Sequence, residues 1–546
     1  MTSSKQRNLA AFAFGLGECL LFGGLKYGWA SLVFVLKDLG YFHGCSNNLS
    51  KDTYDTSVSG TSSDINNSTW TYGHAGNATQ QDLLCDKELR GLCRTQDSCL
   101  HLVFTIATVT CGMMAIPTGA LVDRCSIRIP RLIFSVVICS GLLMLALSTP
   151  DTSKLLYPSI AGITMGGIVI GIANMQIGNL FISKRSTVVT VYNGAIDSSA
   201  IILLTVKVAY EHGISLQISC FTLFAVAFVL FVINTLLLPR DRIVWPPTSK
   251  TKARCDEHKG KASNGISSGS KLYTEVKGNE RSKRTRRQSI QLCEAHKEMM
   301  EYPNMTSAFV SPMFAFFLLW VSVLQLRDLY FLGTFHSWIT QLVGDDHSTV
   351  SHFTSIMTMV QCAGVVISPL PGLLLDRNKR KAIDAEKALY QDLKDSILVY
   401  VITTAVSVLF SISVILPVIQ LQYVSFVLQV VLRAFLYGIA SAFLPMAFPT
   451  RYYATMLGVL FAAAGLFSLL QYPIFLLVQG PLQGNHYYVN VAFIAMCLST
   501  MLFPIYIHIY VKRKEKLLEL NKSSKEWIKF ESDLLTDEDK TRSDKV

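Results

Sequence analysis

The 546-residue sequence predicts an all-α membrane protein with twelve transmembrane helices in two six-helix, pseudo-symmetric lobes. Three observations predict it. Half of the residues are hydrophobic and only 16% are charged. The hydrophobic residues fall in continuous runs of about 20 or more, the length a helix needs to cross a bilayer, without the two-residue alternation of a membrane barrel. One pattern also occurs twice at equivalent places. Gly119-Ala-Leu-Val-Asp123-Arg124 and Gly372-Leu-Leu-Leu-Asp376-Arg377 each close an apolar run, with proline upstream at Pro117 or at Pro369 and Pro371. A motif repeated in register in two hydrophobic halves marks a duplicated bundle.

In order, the first set of spans is expected near residues 9–36, 100–122, 131–149, 155–182, 186–208 and 213–238. The second set is expected near 310–341, 350–375, 396–420, 422–447, 453–479 and 487–511. The first run is long and contains Glu18 and Lys26, so it reads as a retained helix and not a cleavable signal. These spans divide the chain into an N-terminus (1–8), a first lobe (9–239) with a polar loop at 37–99, a linker (240–308), a second lobe (309–511) and a tail (512–546).

Lysine and arginine concentrate beside the faces that stay in the cytoplasm. With the N-terminus inside, and with Arg131 at the edge of its span taken as cytoplasmic, 39 of the 49 fall in cytoplasmic segments, 6 in extracellular ones and 4 within helices. Both termini are therefore expected in the cytoplasm. The net charge of +11 follows from this topology and from attraction to anionic inner-leaflet lipid, which makes membrane lipid an expected partner and nucleic acid not. Loop 37–99 carries glycosylation sequons at Asn48, Asn66, Asn67 and Asn77, together with Cys45, Cys85, Cys93 and Cys99. Four extracellular cysteines suggest disulfides, with three pairings open and a single bridge equally admissible. The linker is serine-rich and basic, with too little apolar surface to fold alone, and Arg286-Arg287-Gln-Ser289 suits a basophilic kinase acting on Ser289.

Charged groups inside a bilayer are costly and rarely face lipid. Here they are Glu18, Lys26, Asp197, Lys207, Arg327, Asp328 and Arg433, and Asp197 and Arg433 lie closest to midspan. Lys26 and Lys207 are read as snorkelling to the extracellular headgroups. Arg327 and Asp328 point about 100° apart on a helix, so each needs its own partner. Polar residues accompany them: Asn174, Gln176 and Asn179 in the fourth span, Asn193 in the fifth, Gln325 in the seventh and Gln471 in the eleventh. Taken singly, such groups are most simply interhelical hydrogen-bonding glue. In the repeated motif, Gly119 and Gly372 permit close packing, Asp123 and Asp376 accept hydrogen bonds at a helix N-terminus, and Arg124 and Arg377 pair with carboxylates, a set suited to gating. No nucleophile motif or metal-ligand spacing is present in the sequence, so no enzyme, cofactor or metal is expected, and no obligate protein partner is evident.

The repeated motif resembles the loop between the second and third helices of each half in the major facilitator superfamily. That resemblance implies that helices 1, 4, 7 and 10 line a central cavity, within reach of Glu18, Arg327 and Arg433. The segments Gln176-Ile-Gly178-Asn179-Leu-Phe181, Tyr192-Asn193-Gly194-Ala-Ile-Asp197-Ser198-Ser199, Ala447-Phe448-Pro449 and Gln471-Tyr-Pro473-Ile-Phe475 further resemble solute carrier family 43. They are more similar to its equilibrative nucleobase transporter branch than to its large neutral amino-acid branch. The resemblance implies facilitated movement of purines such as adenine, guanine and hypoxanthine across the plasma membrane without ion coupling. The candidate substrate groups are Glu18, Gln176, Asn179, Asn193, Asp197 and Arg433, with Tyr27, Trp29, Tyr192, Tyr330 and Tyr437 as candidate stacking faces. Two alternatives remain open: a neutral amino-acid uniporter using Arg433 for the ligand carboxylate, and a symporter whose proton rides on Asp197 or Glu18.

Overall fold

The computed structural model describes residues 2–43, 80–124, 128–177, 185–237, 305–344, 346–375, 377, 385–448, 452–517 and 520. Among them, twelve helices are long and apolar enough to cross a membrane, and no strand occurs. We number the six of the first lobe α1 (Leu9–Asp38), α2 (Gln96–Leu121), α3 (Arg128–Leu147), α4 (Pro150–Met175), α5 (Val188–Glu211) and α6 (Leu216–Ile233). Those of the second lobe are α7 (Pro312–Val343), α8 (His347–Leu375), α9 (Gln391–Ile415), α10 (Leu421–Ala447), α11 (Tyr453–Gln479) and α12 (Tyr487–Leu517). The face from which the chain enters α1 is called the amino face below.

Each expected span is present, with several ends shifted; two of the shifts follow from the sequence. The helix containing α2 begins at Gln80, so part of the segment expected as a loop to residue 99 is helical. Its sequence explains this, since Gln, Leu, Lys, Glu and Arg dominate residues 80–98 and proline is absent. At the other end of the chain, α12 runs on to Leu517 through Lys512–Lys516, residues that favour helix without needing a bilayer around them. Asn48, Asn66, Asn67, Asn77, Cys45, Asn179, Ser289 and Asp376 lie outside the described residues, as do the side chains of Cys85, Cys93, Asp123 and Arg124.

Several spans are interrupted at mid-depth. The helical part of α1 stops at Phe22, passes through a 3-10 turn at Leu25–Gly28 and resumes at Trp29. Helix α5 breaks at Ser199, and α8 consists of three pieces, His347–Gln361, Gly364–Ile367 and Pro369–Leu375. Freed backbone groups at that depth have no water to bond and must be satisfied by protein. Two adjacent serines do this. The Gly24 amide donates to Ser199 Oγ at 2.9 Å, which joins the break in α1 to the break in α5. Ser198 Oγ donates to the Cys362 carbonyl at 3.0 Å and accepts from the Val365 amide at 3.0 Å, bridging the gap in α8. Gly24 has to be glycine, because a Cβ there would lie 2.3 Å from the Ile196 carbonyl oxygen.

The lobes meet through small residues. On α2 and α11, Ala115 and Gly119 interlock with Ala454 and Gly458: a Cβ on Gly119 would sit 2.2 Å from the Ala454 carbonyl, and one on Gly458 2.2 Å from the Ala115 carbonyl. This reciprocal small-xxx-small contact brings two backbones together near the amino face. The other motif glycine, Gly372 on α8, abuts Thr190 on α5, so both repeated motifs press against the opposite lobe. Gly119→Val and Gly458→Val are expected to lower the stability of the purified protein by about 1–3 kcal/mol through overpacking. Gly17→Ala, where nothing lies within 4 Å of the added methyl, is expected to be neutral or stabilising. Thermal unfolding in detergent checks the contrast.

Candidate functional site

The breaks in α1, α5 and α8 converge on the middle of the bundle, where α10 passes from the second lobe. A cavity of about 30 Å³, room for about one water, lies there. Its polar lining is Tyr27 from α1, Asn193 and Asp197 from α5, and Tyr437 and Ser441 from α10; Ile172 of α4 and Phe461 of α11 are among its apolar walls. No cationic side chain is in this lining. Asn193 Nδ2 donates to Ser441 Oγ at 3.0 Å, tying the two lobes together at the cavity.

Beside it stands a buried ion pair that links the lobes. Arg433 Nε lies 3.2 Å from Asp197 Oδ1, with both side chains essentially inaccessible to solvent. The same guanidinium donates from Nη2 to Gln361 Oε1 of α8 at 2.8 Å and lies 4.1 Å from the centre of the Tyr27 ring. Asp197 Oδ2 has no hydrogen-bond partner among the described residues. One turn before Arg433, Gln429 Nε2 donates to Asp328 Oδ1 of α7 at 2.7 Å.

The remaining sequence candidates divide. Glu18 does not line the cavity. It forms a buried ion pair with Arg131 of α3, and both hydrogen-bond Asn174 of α4, whose Nδ2 also donates to the Gly15 carbonyl at 3.1 Å. Arg131 was counted with the cytoplasmic charges, yet it is 1% exposed, because its long side chain turns inward from the first turn of α3. Its signal in the sequence was indirect: Glu18 lacked a cation. Gln176 is half-buried at the end of α4, away from the cavity lining. Arg327 points into the second lobe, where Nε donates to Ser411 Oγ at 2.9 Å and the guanidinium lies 4.3 Å from the Phe410 ring. Arg327 and Asp328 thus take separate partners, as adjacent helical residues must. Of the five candidate aromatics, Tyr27 and Tyr437 reach the cavity, whereas Trp29 packs on Phe104, Tyr192 on Phe12 and Tyr330 on Phe493. Gln471 donates to Thr108 at 3.0 Å and Gln325 to Ser468 at 3.4 Å, the glue role expected of them.

The snorkelling assignment fails for both lysines. Lys26 sits in the broken turn of α1, 8% exposed, too far from the end of the span for its stem to bridge. Its Nζ lies 5.0 Å from the centre of the ring of Tyr27, which lines the cavity. Lys207 is fully buried and clamps α5 to α8: Nζ donates to Ser351 Oγ at 2.7 Å, to the Ser351 carbonyl at 3.1 Å and to Ser355 Oγ at 2.8 Å, and pairs with Glu211 at 3.0 Å. This clamp joins the lobes toward the face opposite the amino face. Near the amino face, Arg377 of the second motif pairs with Asp395 of α9 at 3.4 Å, within its own lobe.

The sequence matches the Major Facilitator Superfamily over residues 94–384. It is 34% identical to Equilibrative nucleobase transporter 1 of Bos taurus, over 94% of this chain and 98% of that protein. It is 24% identical to Large neutral amino acids transporter small subunit 3 of Homo sapiens, over 91% of this chain and 93% of that one. Among solved structures, the proton:xylose symporter XylE bound to 6-bromo-6-deoxy-D-glucose superposes with a TM-score of 0.55, covering 93% of this chain and 96% of its own at 12% identity, a likeness of fold alone. The chain belongs to the major facilitator superfamily of membrane transporters and, within it, to solute carrier family 43. It is more similar there to the nucleobase transporter than to the amino-acid transporter.

Removing one partner of a buried pair strands the other charge, which typically costs about 3–5 kcal/mol, whereas neutralising both is tolerated. Asp197→Asn and Arg433→Gln are each expected to lower the unfolding free energy by about 3 kcal/mol or more, and the double variant to recover most of the loss. Unfolding of the three purified proteins checks this.

Proposed function

We propose that the protein is a facilitative plasma-membrane transporter of purine nucleobases such as adenine, guanine and hypoxanthine, working by alternating access without ion coupling. The observation that carries this reading is the chemistry of the central lining: a carboxylate, an amide, a hydroxyl and two phenols, with no cation. A purine ring N–H donates to the unpartnered Asp197 Oδ2, Asn193 completes the hydrogen-bonding edge, and Tyr27 and Tyr437 supply faces for stacking, worth about 1–3 kcal/mol per base in nucleic-acid sites. The name of the 34% identical bovine relative supports the same solute class. An amino acid would bring a carboxylate to a lining without a cation, while Arg433, its natural anchor, is already held by Asp197.

Absence of ion coupling is supported by the charge balance. The buried carboxylates Asp197 and Asp328 are accompanied by the buried cations Arg433, Lys26 and Arg327, so the centre needs no added proton or cation to balance them. Ligand pockets are usually about 300–1,000 Å³, far larger than the cavity here, so the form described is closed around its centre and solute enters when the lobes part. In this reading the amino face is cytoplasmic, with both termini inside. Gly119 and Gly372 lie in the cytoplasmic gate with Asp123, Arg124, Asp376 and Arg377, and the Lys207 clamp is the extracellular one. Glu18 supports the first lobe from its pair with Arg131. Loop 37–99 is then extracellular, where the sequons are glycosylated and its cysteines oxidised.

Expression in cells lacking endogenous purine uptake is expected to raise radiolabelled adenine entry until inside and outside concentrations match, with leucine at background and no effect of a pH gradient. Leucine uptake without adenine uptake would overturn the solute assignment. Adenine accumulation that collapses with the proton gradient would overturn uniport.

A further inference from the structure

The central charges are distributed in a way that simple pairing does not require. The first lobe contributes Lys26 on α1 and Asp197 on α5; the second contributes Arg433 on α10 and Asp328 on α7, while its other buried cation, Arg327, turns away to Ser411. All four are buried. In the closed form the short contact crosses between lobes, from Arg433 to Asp197 at 3.2 Å. Asp328 is held through only one oxygen, by Gln429, and its Oδ2 has no hydrogen-bond partner among the described residues; neither has Nη1 of Arg433. Lys26 adjoins Tyr27, which lines the cavity together with Asp197, and Gly24 beside the same turn packs on Ile196, the chain neighbour of Asp197.

Parting the lobes breaks the crossing pair. A guanidinium and a carboxylate left alone at mid-membrane depth would make opening prohibitive, because stranded buried charges are strongly destabilising. We propose that Asp328 and Lys26 are the positioning residues that make opening feasible: Arg433 transfers to Asp328 and Asp197 to Lys26 as the lobes separate, so neither member of the crossing pair is left stranded. The inference rests on the alternating-access reading above. The transfer involves no covalent step and no proton movement, only an exchange of ion-pair partners. The hydrogen bond from Gln429, one helical turn before Arg433, holds Asp328 beside α10 and leaves its Oδ2 open to the equally unpartnered Nη1 of Arg433. Lys26 is suited to its part because it lies in the broken turn of α1, whose backbone already departs from the regular helix.

The test uses the full chain in lipid vesicles, with fluorophores introduced through unnatural amino acids at the exposed residues Ile214 and Val418, on opposite lobes. Lys26→Met combined with Asp328→Asn leaves the net charge of the buried centre unchanged but leaves Arg433 and Asp197 no alternative partners. The expected result is an unfolding temperature at or above that of the wild type, together with lobe opening and adenine exchange at least tenfold slower. Asp328→Glu, which retains the acid, is expected to open within a few-fold of the wild-type rate. A purely structural role would change stability and leave the opening rate alone. Opening of the double variant at the wild-type rate would overturn the proposal. So would its failure to fold, because the four groups would then not act as two separable neutral couples. Opening is read without cargo, so its outcome stands whether or not adenine is the solute.

Discussion

The ion pair between Asp197 and Arg433 is the constraint around which the rest of the bundle is arranged. Each charge alone would be untenable at the centre of a bilayer, where insertion of such a residue costs about 3 kcal/mol even by lenient scales. Once paired, the two groups fix which surface of α5 faces which surface of α10, and so how one lobe sits on the other. Their neighbours follow from that register. Gln361 brings α8 to the guanidinium, the Tyr27 ring covers its face from α1, and Asn193 reaches Ser441 one turn away from the pair on α5.

Irregular backbone is the second condition. A bundle of unbroken helices would present only side chains to its centre, but here α1, α5 and α8 are all interrupted at similar depth. Ser198 and Ser199 take up the backbone groups that the breaks release, one bonding across the lobe boundary to α8 and the other within the first lobe to α1. Two short hydroxyls therefore hold together three discontinuities that would otherwise leave polar groups unsatisfied in a dry interior. The small residues of α2 and α11 complete the arrangement by letting the lobes approach to backbone contact.

The twelve spans were legible because each depends on a long apolar run, which composition reveals directly. Asp197 and Arg433 were legible for a related reason, as charges stand out in such runs. Their pairing was not, since it joins residues from different lobes and no local pattern encodes it. Arg131 was misassigned because it follows a basic connection; only its reach inward to Glu18 and Asn174 reveals its place. Lys26 and Lys207 were misread because position along a span was taken as depth, whereas the broken turn of α1 and the close α5–α8 contact bury both. Ser198 and Ser199 carried no distinguishing signal, as serine in a membrane helix usually marks close packing alone.

The size of the central cavity bears on the direction of flow. A carrier whose lobes can close over a space fit for about one water does not need cargo to fill its middle before it turns over. In the proposed cycle, the empty protein can therefore reset itself after each delivery without trading one solute for another. Net movement would then follow the concentration difference in either direction, and the cell would retain what it admits only by chemically converting it.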